Sequence, residues 1–226
     1  MSASTLNAAS GVRSARLRVH PLAVRLWHWI NAFAIVIMIT SGWRIYDASP
    51  VFPGIRFPPQ ITLGGWLAGA LQWHFAAMWL LMINFAVYIL YGVMSGHFAR
   101  KMTPIAPRDV VHDLGAALSF KLAHNDVTTY NAVQKLAYVG VLAAILITIL
   151  AGLAIWKPVQ FQELAWLFGG YDGARVVHFF GMAAIVLFLI IHLALVTLVP
   201  STFLPMITGD AKPAGAAPQH QRSNAR

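Results

Sequence analysis

Nine histidines stand in a chain that holds only seven aspartates and glutamates together, and no cysteine. Imidazole is a metal ligand, a proton carrier and an acid–base group near neutral pH. Four of the nine, His28, His74, His178 and His192, fall inside long apolar runs, where a ring without a partner is costly. Those runs contain almost no Asp or Glu, so carboxylate partners are scarce and a metal or haem is the better one. The lack of cysteine removes a disulfide scaffold, thiolate zinc sites, cysteine-held iron–sulfur clusters and the C-x-x-C-H attachment of c-type haem.

The elements that must carry these rings are read from composition. The chain has 226 residues, 58% hydrophobic and only 10% charged, where a soluble domain has about 25% charged residues. Four apolar segments, Leu22–Tyr46, Leu71–Ser95, Leu136–Trp156 and Val176–Val199, each have the roughly 20 residues that cross a bilayer core as a helix. The fold class is therefore all-α, an integral membrane four-helix bundle. Residues 1–19 are expected to be a disordered amino-terminal segment rather than a cleaved signal peptide, 20–200 the membrane domain and 201–226 a mostly disordered tail. The segment 47–62 is rich in proline, 97–130 reads as a polar loop, and Glu163–Phe168 as an interfacial turn of helix. There is no internal repeat and no second soluble domain. Of the sixteen Lys and Arg, only Arg44, Arg56, Lys157 and Arg175 fall on the side of the first-to-second and third-to-fourth loops. The positive-inside rule then places both termini in the cytoplasm. The net charge of +9 thus reports orientation in a lipid membrane, and a nucleic-acid partner is not expected.

Depth sorts the histidines. His28 lies near the start of the first span and His192 near the end of the fourth, at one level. His74 lies early in the second span and His178 early in the fourth, at the other. His178 and His192 are fourteen residues apart, which brings them to within about 40° of one helix face and about 21 Å apart along the axis. Two haems on that face, one per level, would be close enough for electron tunnelling. Gly181 lies near the same face, where a missing side chain lets a macrocycle approach. Arg25 and Arg175 each precede a candidate ligand by three residues on its water side, where guanidinium suits a haem propionate. His20, His97, His112, His124 and His220 read as interfacial or solvated, with His124 and Asn125 as candidates for a quinone headgroup.

Arg25-Leu26-Trp27-His28-Trp29 at the first span resembles the bacterial di-haem cytochrome b family, which includes the cytochrome b subunits of nickel–iron hydrogenase, formate dehydrogenase and thiosulfate reductase. His178-Phe179-Phe180-Gly181-Met182 followed by His192 is similar to the H-x-x-G-M…H pattern of the hydrogenase subunit. His124-Asn125 and Ala151-Gly152 are similar to features before and within its third helix. The similarity spans roughly residues 20–200. It implies two b-type haems, each held by two histidines, with His28 paired to His192 and His74 to His178. It also implies residence in the bacterial inner membrane, exchange of electrons with quinone, and service to a periplasmic oxidoreductase. The outer loops, including Phe168-Gly169-Gly170-Tyr171-Asp172, look more like subunits beside periplasmic molybdopterin oxidoreductases than beside hydrogenase.

The leading expectation is thus an electron-transfer subunit linking the membrane quinone pool to a periplasmic oxidoreductase. Its protein part supplies ligands, burial and spacing, while the haem supplies the redox chemistry. The alternative is a stand-alone di-haem superoxide:quinone oxidoreductase, steered by the four outer cations. A proton-coupled transporter fits less well, because intramembrane carboxylates and inverted repeats are missing from the sequence.

Overall fold

The computed structural model describes residues 17–18, 21–96, 98, 107–118, 132–200 and 203–211. Four helices are long and apolar enough to cross a membrane: α1 (Leu22–Ala48), α2 (Leu67–Met94), α4 (Ala132–Trp156) and α6 (Gly170–Leu198). Between and after them lie α3 (Pro107–Leu118), α5 (Gln162–Leu167) and α7 (Phe203–Thr208). A two-residue pair, β1 (Leu17–Arg18) with β2 (Asp210–Ala211), runs antiparallel and joins the two ends of the fold. Both ends therefore emerge on one side, called here the terminal side, opposite the loop side formed by 49–66 and 157–169.

Local chemistry sets the helix limits. Pro21 precedes α1, where its missing N–H costs nothing, and its carbonyl accepts from the Arg25 N–H at 3.3 Å. Pro50 follows the α1 cap Ser49 and prevents continuation. Gly64, at φ +102°, carries the loop under the start of α2; a Cβ there would lie 2.3 Å from the Ala70 amide nitrogen. Gly169 and Gly170 both take positive φ at the turn into α6. The expected interfacial turn at Glu163–Phe168 is α5. The segment 97–130, expected to be loop, contains the twelve-residue helix α3. Pro107 opens it and Asp109 sits in its first turn, but its apolar positions are spaced rather than continuous, so a search for long apolar runs passes over it. Asp113 on α3 accepts the Ala132 N–H at 2.8 Å and so caps α4. Residues 203–211, within the segment expected to be mostly disordered, form α7 and β2.

α1 packs along α2, and α4 along α6. In lipid, apolar surface gains nothing by leaving one hydrocarbon for another, so helices associate through close packing and polar ties. The most deeply buried residues are accordingly small: Ala34, Ala70, Ala151, Ala154, Ala174 and Ser41. Large side chains such as Ile83, Leu187 and Ile190 face outward. Buried Asn84 on α2 donates to the Trp27 carbonyl of α1 at 3.1 Å and to Asn31 Oδ1 at 3.4 Å. One residue from each span, Ile39, Phe85, Ile145 and Ile185, meets in a central cluster. Ile185 is seven residues from both His178 and His192, so this cluster stands about 10 Å along the axis from each histidine level.

Candidate functional site

The folded chain brings the four intramembrane histidines together as two pairs. On the loop side, His74 of α2 and His178 of α6 have ring centres 6.4 Å apart with planes at 61°. On the terminal side, His28 of α1 and His192 of α6 have ring centres 6.1 Å apart with planes at 48°. Each pair bridges the α1–α2 hairpin to the α4–α6 hairpin.

The loop-side rings are held by neighbouring helices. His178 Nδ1 lies 2.9 Å from the Thr148 carbonyl oxygen of α4. A carbonyl only accepts, so Nδ1 carries the proton and Nε2 keeps its lone pair. His74 Nδ1 lies 3.0 Å from Ser41 Oγ of α1. That hydroxyl donates to the Ile37 carbonyl one turn back, so it accepts from His74 Nδ1–H, and the same tautomer follows. Each ring also rests on a glycine. A Cβ on Gly42 would stand 3.3 Å from His74 Cε1, and one on Gly152 only 3.1 Å from His178 Cε1. Fixing one ring nitrogen through such a bond orients the other toward a metal and raises its donor strength.

His192 of the terminal-side pair is supported differently. His192 stacks on Phe188 of its own helix, with centres 5.7 Å apart and planes 10° apart. His28 packs against the neighbouring Trp29, at 5.2 Å between centres. The short helix α7 folds beneath this end of α1, where Trp29 Nε1 donates to the Met206 carbonyl at 3.1 Å and the Arg25 guanidinium donates to the Ile207 carbonyl.

The remaining expected site residues separate. Arg25 Nε is buried and has no acceptor among the described residues. Arg175 donates to the Ser49 carbonyl and, at 3.2 Å, to Ser49 Oγ, with Asp172 3.7 Å away. Gly181 faces Thr148: a Cβ there would come within 2.1 Å of Thr148 Oγ1. The close approach that it permits is therefore of α4 to α6, and this brings the Thr148 carbonyl to His178. His112 is exposed on α3, with Nδ1 3.2 Å from Asp113 Oδ1. His20, His97, His124, Asn125 and His220 lie outside the described residues. Sequence reasoning passed over Ser41, Gly42 and Thr148. The available signal was a hydroxyl in an apolar run at the depth of a histidine, Thr40-Ser41-Gly42 on the first span being the clearest case.

Donor chemistry and spacing together fit a haem iron. Metal–nitrogen bonds of about 2 Å on opposite sides of one ion put two imidazole centres about 6 Å apart, and both pairs match. Among the described residues no three His, Asp or Glu gather to cage a bare ion. Each pair thus offers two imidazole rings that would hold a haem iron rather than a bare ion.

The chain matches the family model of prokaryotic cytochrome b561 over residues 19–209. It belongs to this family of membrane haem proteins, and a b-type haem is the cofactor that membership implies. It is 51% identical over 191 residues to a protein of Azospira oryzae named as a protein-methionine-sulfoxide reductase subunit, YedZ1, covering 84% of this chain and 96% of the relative. It is 27% identical over 206 residues to a protein of Cupriavidus necator named as a nickel–iron hydrogenase B-type cytochrome subunit, covering 81% of this chain and 80% of the relative. A like-named protein of Azotobacter chroococcum is 25% identical over 194 residues, covering 78% of each chain.

Proposed function

We propose that this chain is a transmembrane electron-transfer subunit with two b-type haems, linking the quinone pool of the bacterial inner membrane to a periplasmic oxidoreductase. His28 and His192 hold one haem on the cytoplasmic side, and His74 and His178 hold the other on the periplasmic side. The carrying observation is the pair of ring separations, 6.1 and 6.4 Å, at two levels of one bundle. The excess of Lys and Arg on the terminal side supports the orientation.

A haem held by such a pair of histidines would supply reversible one-electron transfer. The chain does the rest. Thr148 and Ser41 hold the histidine tautomers, and Gly42 and Gly152 admit the rings. The cluster of Ile39, Phe85, Ile145 and Ile185 keeps water from the path between the levels. Arg25, with its Nε unsatisfied, offers a charged donor to a propionate at the cytoplasmic level. Arg175 lies three residues before its ligand on the periplasmic side, and Gly181 holds α4 against the helix that carries both ligands.

The partner that similarity favours is an oxidoreductase acting on methionine sulfoxide in proteins, because the Azospira relative is twice as similar as the hydrogenase subunits and is matched over nearly its whole length. The periplasmic molybdopterin enzymes whose subunits the outer loops resemble remain the expected class for that partner. Reduction of a sulfoxide to a thioether and water takes two electrons and two protons, so a quinol is a sufficient donor through two one-electron carriers.

The test is purification of the full chain in mild detergent, with haem counted per chain and the reduced-minus-oxidised spectrum recorded. Two low-spin haems b are expected. His28→Ala or His192→Ala removes one, and His74→Ala or His178→Ala removes the other. Retention of both haems by all four variants overturns the reading.

A further inference from the structure

Trp43 carries a polar atom that the fold leaves unanswered. Its Nε1–H is buried, and no acceptor lies within reach among the described residues. An indole nitrogen only donates, and a donor withdrawn from water without an acceptor carries the cost of a lost hydrogen bond. Trp43 follows Ile39 by one turn of α1 and packs against the central cluster, so its ring lies on the inner side of the bundle. The ring is fixed there by a parallel stack on Phe57 of the loop, with centres 4.7 Å apart and planes 8° apart. Its position is also specific. Trp43 directly follows Ser41 and Gly42, the two residues that bond and cradle His74, and it stands on their water side.

Among the described residues, the other side chain with such an unanswered donor is Arg25, three residues to the water side of His28. Among the described residues, each histidine pair therefore has one buried donor without an acceptor within three residues, along the chain, of a ligand or of a residue that bonds one. The guanidinium at the loop-side level, Arg175, already has the Ser49 carbonyl, Ser49 Oγ and Asp172 as partners.

We infer that Trp43 Nε1–H donates a hydrogen bond to a carboxylate of the haem held by His74 and His178, making Trp43 a binding residue of that site. This rests on the two-haem reading above. A propionate is the acceptor in such a haem that extends toward water, and an indole N–H in a dry site supplies a donor without adding charge. Phe57, through its stack, is what keeps the donor aimed.

The experiment uses the full haem-loaded chain. The wild type is measured first, and together with His74→Ala it establishes whether a haem depends on the loop-side pair; if none does, the two-haem reading fails before this one is addressed. Trp43→Phe keeps the ring and its stack and deletes only the N–H. The expected result is two haems per chain, a lower midpoint potential for the loop-side haem only, and a shifted propionate bending band in its resonance Raman spectrum. The potential falls because carboxylate charge no longer shared with the donor favours oxidised iron. An unmoved potential and band overturn the inference. Should Trp43→Phe lose the loop-side haem, Trp43→His, which restores a ring N–H, regains it; failure to regain it also overturns the inference.

Discussion

The two histidine pairs have nearly equal ring separations but different supports. On the loop side, both rings are tied through Nδ1 to other helices, His74 to Ser41 of α1 and His178 to Thr148 of α4, and both sit on glycines. On the terminal side, His192 leans on Phe188 of its own helix, and among the described residues nothing bonds its ring nitrogens. α7 and the Arg25 and Trp29 contacts brace the pair from below. His178 and His192, on one helix, thus differ in support: the first is tied to α4 through Nδ1, and the second leans on a ring of its own helix. The first kind of support fixes tautomer and ring angle before any ligand arrives, and the second leaves the ring more freedom.

The largest difference between the two pairs is expected when a glycine cradle is filled. Gly152→Val places branched carbons where a single Cβ already meets His178 Cε1 at 3.1 Å. If each pair holds one haem, as proposed, Gly152→Val loses the loop-side haem and retains the terminal-side one, read as a halved Soret absorbance per chain. Equal loss of both would mean that Gly152 supports the bundle as a whole rather than one pair.

A smaller change removes a single acceptor. Ser41→Ala leaves His74 in place but takes away the oxygen its Nδ1–H donates to. Loss of such a supporting bond lowers metal affinity by roughly 10–100-fold. A less basic imidazole also stabilises oxidised iron less, so the loop-side midpoint potential rises. A redox titration resolving the two haems checks this, and a shift confined to the terminal-side haem would reverse the assignment of support.

The smallest effect is expected at the terminal side. Phe188→Leu removes the stack under His192 but no hydrogen bond. Both haems stay low-spin, and the terminal-side potential moves less than the loop-side potential does in Ser41→Ala. A larger shift in Phe188→Leu would show that stacking restrains a ring as firmly as a bond to Nδ1.

Much of this was legible in the residues alone. Four apolar runs longer than a bilayer is thick become α1, α2, α4 and α6, because length and lack of charge are sufficient signals in lipid. The assignment of His28 to the level of His192, and of His74 to that of His178, needs only the alternating direction of successive spans. The helix α3 was not legible as a long run, since its apolar positions are interspersed with polar ones. Gly181 was visible as a special position on the ligand helix, but the sequence does not say what occupies the space beside it. In the fold that neighbour is Thr148 of α4.

Hydropathy and helical rise act along one chain, so the spans, their order and the levels of the histidines follow from the residues alone. Which nitrogen of His74 and His178 is protonated, which glycines the rings rest on, and the burial of the Trp43 N–H without an acceptor among the described residues all depend on contacts between helices. The reason is that a membrane helix is apolar on every side, so its pattern does not announce which face meets a neighbour. That choice rests on a few small and hydroxyl residues, such as Ser41, Gly42, Thr148 and Gly152, whose meaning depends on what packs against them.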